Sequence, residues 1–133
     1  MTTLKKILVI DDEKDMVDAI KDFLEENNQF EVMTAYDGHQ GLEKARKEGP
    51  DLVVLDLMLP KIDGHKVCAL LKKDARFSGI PILILTAKAH HDDEKLAWES
   101  GADAYVTKPF EPQSLIIKIE NLIHNRTETK FEK

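Results

Sequence analysis

The strongest constraint on this chain is a rhythm, in which strand-like apolar runs alternate with helix-period segments five times. That alternation predicts an α/β fold, a parallel sheet whose strands are joined by crossover helices. The predicted strands cover Ile7 to Ile10, Phe30 to Tyr36, Asp51 to Asp56, Ile80 to Leu85 and Ala104 to Val106. Met16, Ile20, Phe23 and Leu24 recur at helical spacing in a first helix over Glu13 to Asn27. Asp37-Gly38 opens a second helix through Lys47, which Gly49-Pro50 closes. After a turn over Pro60 to Gly64, a third helix directs Val67, Leu70 and Leu71 inward and ends near Asp74. A helix over His91 to Ser100 is poor in apolar residues, and its Leu96 and Trp98 stand about 200° apart at about 100° per residue, so both cannot face inward. The last helix follows Phe110 and runs to about Asn125. Its Leu115, Ile116, Ile119, Leu122 and Ile123 share one arc, and Ile117 projects from the opposite side.

Length and composition narrow the class. At 133 residues with 42% hydrophobic content, the chain can build one core and has no room for a second domain. Residues 1–125 are read as that domain, and 126–133 as a polar tail or the start of a linker. Acids outnumber bases by 25 to 19 and leave a net charge of -6, which disfavours direct contact with nucleic acid or an anionic membrane. Cys68 is the only cysteine, so no internal disulfide forms and a reducing compartment is expected; Cys68 itself reads as a small core residue. No stretch approaches a membrane span and no signal-peptide h-region is present, so the expected location is cytoplasmic.

Function is written at the ends of the strands. The first run stops at Asp11-Asp12, the third at Asp56, the fourth at Thr86 and the fifth at Thr107-Lys108-Pro109. If those strands are parallel neighbours, acids, a hydroxyl and an ammonium meet at one sheet edge, where open α/β folds place their sites. Clustered carboxylates either take up protons or bind a cation. All-oxygen donors suit Mg²⁺, with Mn²⁺ as a substitute, rather than zinc, and the five histidines form no ligand set. A phosphate held by the cation, Lys108 and Thr86 leaves Asp56 in line as a nucleophile. An attacking carboxylate is already ionised and needs no general base.

From about Lys5 to Asn125 the chain resembles the receiver domain of two-component response regulators. The resemblance rests on Asp11-Asp12, on Asp56 in Val53-Val54-Leu55-Asp56-Leu57-Met58-Leu59-Pro60, on Asp63-Gly64, on Thr86 in Leu85-Thr86-Ala87, and on Lys108-Pro109-Phe110. It implies a flavodoxin-like (βα)5 sandwich with strand order 2-1-3-4-5. It implies Mg²⁺ held by Asp12, Asp56 and the Met58 backbone carbonyl, with Asp11 acting through water. Asp56 is the implied phosphoacceptor, Thr86 and Tyr105 the implied switch pair, and Pro109 the implied cis-proline. The implied partner is a histidine kinase or histidine phosphotransfer protein, whose phosphohistidine supplies the group in a two-component system or phosphorelay. The chain is accordingly expected to be a signalling domain rather than an enzyme with a turned-over substrate.

Two features particular to this chain refine that expectation. Ile117 and Lys118 lie on the face formed by the His91 to Ser100 helix, the fifth strand and the last helix, through which homodimerisation or partner docking is expected on phosphorylation. Many DNA-binding relatives resemble each other in carrying a second acid after the position of Asp103; Ala104 stands there, while Lys118 keeps the basic side. Met58 and Lys88, two residues past Asp56 and Thr86, are ill suited to activate a water, so slow self-dephosphorylation is expected.

Other classes fit less well. A phosphatase of the haloacid dehalogenase type needs an acid two residues after its nucleophile, where Met58 stands after Asp56. A flavodoxin-like electron carrier needs a phosphate-welcoming first loop, which Asp11-Asp12-Glu13 would repel. A phosphorylation-independent receiver-like scaffold would not require the chemical positions, all of which are present.

Overall fold

Each predicted apolar run becomes a strand, and the runs Ile7 to Ile10, Leu52 to Leu55 and Ile82 to Leu85 are continuous in apolar residues because helices cover both faces of the sheet. The computed structural model describes residues 4–26, 28–87, 95, 99 and 101–131. Within them the order is β1 (Lys5–Ile10), α1 (Lys14–Glu25), β2 (Phe30–Ala35), α2 (Gly38–Glu48), β3 (Leu52–Asp56), α3 (Gly64–Lys73), β4 (Ile82–Ala87), β5 (Ala104–Lys108) and α4 (Pro112–Phe131). The strands pair in parallel in the order β2-β1-β3-β4-β5, as the resemblance implies. The helix expected over His91 to Ser100 lies almost wholly outside the described residues, and with it Leu96, Trp98 and Lys88.

Side chains alternate across the sheet and so divide the core in two. Leu8, Ile10, Val53, Leu55, Ile82 and Ile84 face α2 and α3, where Leu42, Ala45, Val67, Cys68 and Leu71 close over them. Ile7, Val9, Val54, Leu83 and Leu85 face α1 and α4, against Val17, Ile20, Leu24, Leu115, Ile116 and Ile119. Burying a side chain of this size contributes roughly 1.5–3 kcal/mol. Among the described residues no helix is long and apolar enough to cross a membrane.

Several boundaries shift for physical reasons. β4 begins at Ile82 rather than Ile80 because Pro81 has no N–H for the ladder, although its carbonyl still accepts from the Val53 amide at 3.0 Å. At the other end the pairs Thr86↔Thr107 and Ala87↔Lys108 carry β4 and β5 past their apolar runs, since backbone pairing does not require apolar side chains. On α3, Leu70 is 36% exposed and Cys68 takes the inward position instead. Residues 67, 68 and 71 share an arc from which 70 is displaced. α4 runs past Asn125 to Phe131, through a stretch with no Gly or Pro to stop it.

Candidate metal and phosphoryl site

Register alone brings the polar strand ends together. Ile10 is level with Leu55, and Asp56 with Leu85, so Asp11 and Asp56 emerge side by side where β1 and β3 end. Thr86 follows one step on in β4, and Lys108 closes β5 opposite Ala87. The Thr86 side chain lies outside the described residues. Gly64 opens α3 immediately over this edge, and the Asp56 carbonyl oxygen and Leu57 backbone fill the space a β-carbon there would need.

Three carboxylates gather here: ligand oxygens of Asp11, Asp12 and Asp56 all lie within 4.8 Å of one another. Asp11 and Asp56 are buried, whereas Asp12 is exposed. Lys108 Nζ approaches Asp11 Oδ2 at 3.0 Å, Asp56 Oδ2 at 3.4 Å and Glu13 Oε1 at 3.4 Å. Backbone amides hold the carboxylates from the other side. Met58 N–H donates to Asp56 Oδ1 at 3.1 Å and Glu13 N–H to Asp11 Oδ1 at 2.9 Å. The Lys108-Pro109 peptide, which follows directly, is cis.

Burial and the neighbouring Asp11 charge push the Asp56 carboxyl up to about 6, against the Met58 amide and Lys108, which favour its ionised form. Burial disfavours the Lys108 ammonium, but the hydrogen bond it donates to Asp11 and the charges of Asp56, Asp11 and Glu13 together outweigh it and raise the group. Among the described residues one ammonium thus stands against four nearby carboxylates, Asp11, Asp12, Glu13 and Asp56, a surplus of negative charge. Hard oxygen donors in surplus fit a hard divalent cation such as Mg²⁺.

The remaining expected residues fall elsewhere. Tyr105 is half-buried and packs against the α2/α3 side of the core. Its carbonyl accepts from Lys118 Nζ at 3.3 Å. Ile117 is 54% exposed on α4, and the Met58 side chain is 62% exposed at the mouth of the acidic cluster. Cys68 is buried, its thiol pushed up to about 11 chiefly by burial, which makes it inert. Glu13 is the residue that strand-end reasoning misses. A signal existed: in extended backbone, residues two apart share a side, and Glu13 is two past Asp11 with φ -83 and ψ 98.

This sheet order with an acidic cluster at its carboxyl edge defines a class, and the comparisons agree with it. The family model for the response regulator receiver domain matches residues 7–120. The chain belongs to the response regulator receiver family. It is 45% identical over 119 residues to the alkaline phosphatase synthesis transcriptional regulatory protein PhoP of Bacillus subtilis, which covers 90% of this chain and 48% of that protein. It is 40% identical over 120 residues to the DNA-binding dual master transcriptional regulator RpaA of Synechocystis, covering 90% and 49%. The chain thus spans about half the length of these curated relatives. Among solved structures, a CheY-like receiver domain protein from Methanospirillum hungatei superposes with a TM-score of 0.88 at 29% identity, covering 96% of this chain and 99% of that one. A receiver domain protein from Clostridium thermocellum gives 0.86 at 34%, covering 95% and 99%.

Proposed function

We propose that this receiver is a phosphorylation-activated switch in which Asp56 accepts a phosphoryl group from the phosphohistidine of a histidine kinase or phosphotransfer protein. The observation that carries the reading is the pairing of a buried Asp56 carboxylate with Lys108 at 3.4 Å beside two further acids. An Asp56 oxygen forms the new bond to phosphorus as the phosphorus–nitrogen bond of phosphohistidine breaks, and the electron pair leaves with the imidazole. The Lys108 ammonium neutralises charge on the transferred group, and the Met58 amide orients Asp56 through its 3.1 Å bond. Asp12, Asp56 and the Met58 carbonyl, with Asp11 through water, are the groups that would hold Mg²⁺, which supplies further charge neutralisation when bound.

The signal then passes along β5. Thr86, drawn toward the phosphoryl oxygens, leaves room for Tyr105 to turn inward, and the α4 face bearing Ile117 and Lys118 changes shape to favour self-association. Residues 1–125 serve as the receiver, and 126–133 as a polar tail or the start of a linker. The setting consistent with this role is cytoplasmic.

Phosphotransfer profiling with purified histidine kinases, wild type against Asp56→Ala, tests the proposal. The wild type is expected to gain an alkali-labile, hydroxylamine-sensitive phosphate only with Mg²⁺ present, and Asp56→Ala to gain none. Equal labelling of the two proteins overturns it.

A further inference from the structure

We propose that Glu13 is a positioning residue which holds Lys108 in the resting protein and yields it to the phosphoryl group, so that its carboxylate limits how tightly the site takes that group. The inference rests on the phosphoryl-acceptor reading of Asp56 and Lys108.

A lysine ammonium has three N–H donors. In this structure Lys108 Nζ has three carboxylate partners, Asp11 at 3.0 Å, Glu13 at 3.4 Å and Asp56 at 3.4 Å. The donors are therefore fully claimed before any phosphoryl oxygen arrives, and a new acceptor has to displace an old one. Asp11 cannot leave cheaply. It is completely buried, and its other oxygen already accepts from the Glu13 amide at 2.9 Å, so losing Lys108 would strand a charge away from water. Asp56 carries the new group and stays beside Lys108 by construction. Glu13 is different: its side chain is 61% exposed, so water replaces Lys108 as its partner when it swings away.

A second observation is that this carboxylate is not engaged in capping its own helix. Glu13 occupies the N-cap of α1, where a short polar side chain would bond the first-turn amides, yet its side chain makes no capping bond. Its own amide is tied to Asp11, which fixes the backbone so that the side chain reaches Lys108 across 95 positions of sequence. The carboxylate thus competes with an incoming anion both for an N–H of Lys108 and through its charge.

Beryllium trifluoride, a phosphoryl mimic, at saturating Mg²⁺ provides the test, with affinity read by calorimetry and thermal midpoint read alongside on the full chain. Glu13→Gln removes the charge and keeps the shape; Glu13→Asp keeps the charge and shortens the reach. Both are expected to bind the mimic roughly two- to fivefold more tightly, the range that loss of one exposed ion pair allows. Glu13→Gln gains more, because its charge is gone as well. A merely structural role would move the thermal midpoint and leave mimic affinity unchanged. Wild-type affinity in Glu13→Asp, or weaker binding in both variants, overturns the proposal while the acceptor reading stands. Failure of the wild type to bind the mimic overturns the acceptor reading and this inference with it.

Discussion

The Asp56 carbonyl oxygen occupies the place that a side-chain carbon on Gly64 would need, so the strand end that carries Asp56 and the helix that follows are packed backbone to backbone. Gly64 N–H, in turn, donates to the Leu57 carbonyl at 3.0 Å. Gly64→Ala must push Asp56 or the start of α3 aside, at a cost of roughly 1–3 kcal/mol. Its displacement falls on Asp56 itself, so on the proposed reading Mg²⁺ affinity and phosphorylation should fall more steeply than stability. Gly79→Ala is the control, because nothing lies within 4 Å of its missing β-carbon. Denaturation midpoints and Mg²⁺ titrations of the two variants check this; equal effects would contradict the packing argument.

The acidic cluster makes stability depend on pH in a direction that can be worked out. Burial and Asp11 raise Asp56 from 3.8 to about 6, so the folded state holds that proton more tightly than the unfolded chain does. The stabilisation is present in full below about pH 4 and is lost as pH rises through about 6. Asp56→Asn removes the cost of ionisation. In EDTA it should match the wild type near pH 4 and exceed it above pH 6.5, by about 1–2 kcal/mol once solvent at the open sheet edge is allowed for. Mg²⁺ should shrink the gap, because a cation favours the ionised carboxylate. Thermal melts across pH, with and without Mg²⁺, read it out, and a gap that widens toward acid would reverse the assigned cause.

Much of this was legible in the residues, and the reasons differ from place to place. Continuous apolar runs such as Leu52 to Leu55 mark strands covered on both faces, and a charged residue closing such a run, as Asp56 does, can only sit at a sheet edge. Asp11, Asp12, Asp56 and Lys108 were therefore readable as one group. Cys68 was readable as a core residue too, but the exposure of Leu70 was not, because apolar character alone does not say that a residue lies outside the inward arc of its helix. Glu13 escaped notice because its partner arrives from β5, so its use depends on tertiary approach rather than on local pattern.

Asp103 and Lys72 form a latch that ties α3 to the beginnings of β4 and β5. Asp103 Oδ2 accepts from Lys72 Nζ at 2.7 Å and from the Ile82 amide at 2.8 Å, while Lys72 also donates to the Ile80 carbonyl at 2.9 Å. Asp103→Ala strands the Ile82 amide and should cost roughly 1–3 kcal/mol. Lys72→Met keeps the stem and leaves Asp103 on Ile82, so its cost should stay near or below about 1 kcal/mol. Urea midpoints rank the two; a larger loss in Lys72→Met would place the latch's strength in the cation instead.

If the α4 face self-associates as proposed, Ile117, 54% exposed, is an apolar side chain among the described residues that can make the contact, while Asp103 is engaged within its own chain. Ile117→Asp should leave the thermal midpoint within about 1 °C, as exposed substitutions away from packing do. It should abolish any dimer that a phosphoryl mimic induces. Sedimentation with and without mimic checks this, and an undiminished dimer moves the interface elsewhere.

If Asp56 carries the phosphoryl group as proposed, the side chains beside it set how long that state lasts. Met58 has its amide fixed to Asp56 Oδ1 at 3.1 Å and its thioether 62% exposed, and a thioether can neither orient nor deprotonate an attacking water. Phosphorylated protein should accordingly lose its label over minutes or longer in Mg²⁺ buffer. Met58→Asn supplies a hydrogen-bonding amide at the same backbone position and should shorten the lifetime several-fold, with the thermal midpoint unchanged because the side chain packs against little. Quenched time courses of the labelled proteins decide the matter: loss within seconds in the wild type, or equal rates in both, would place control of the water on another residue.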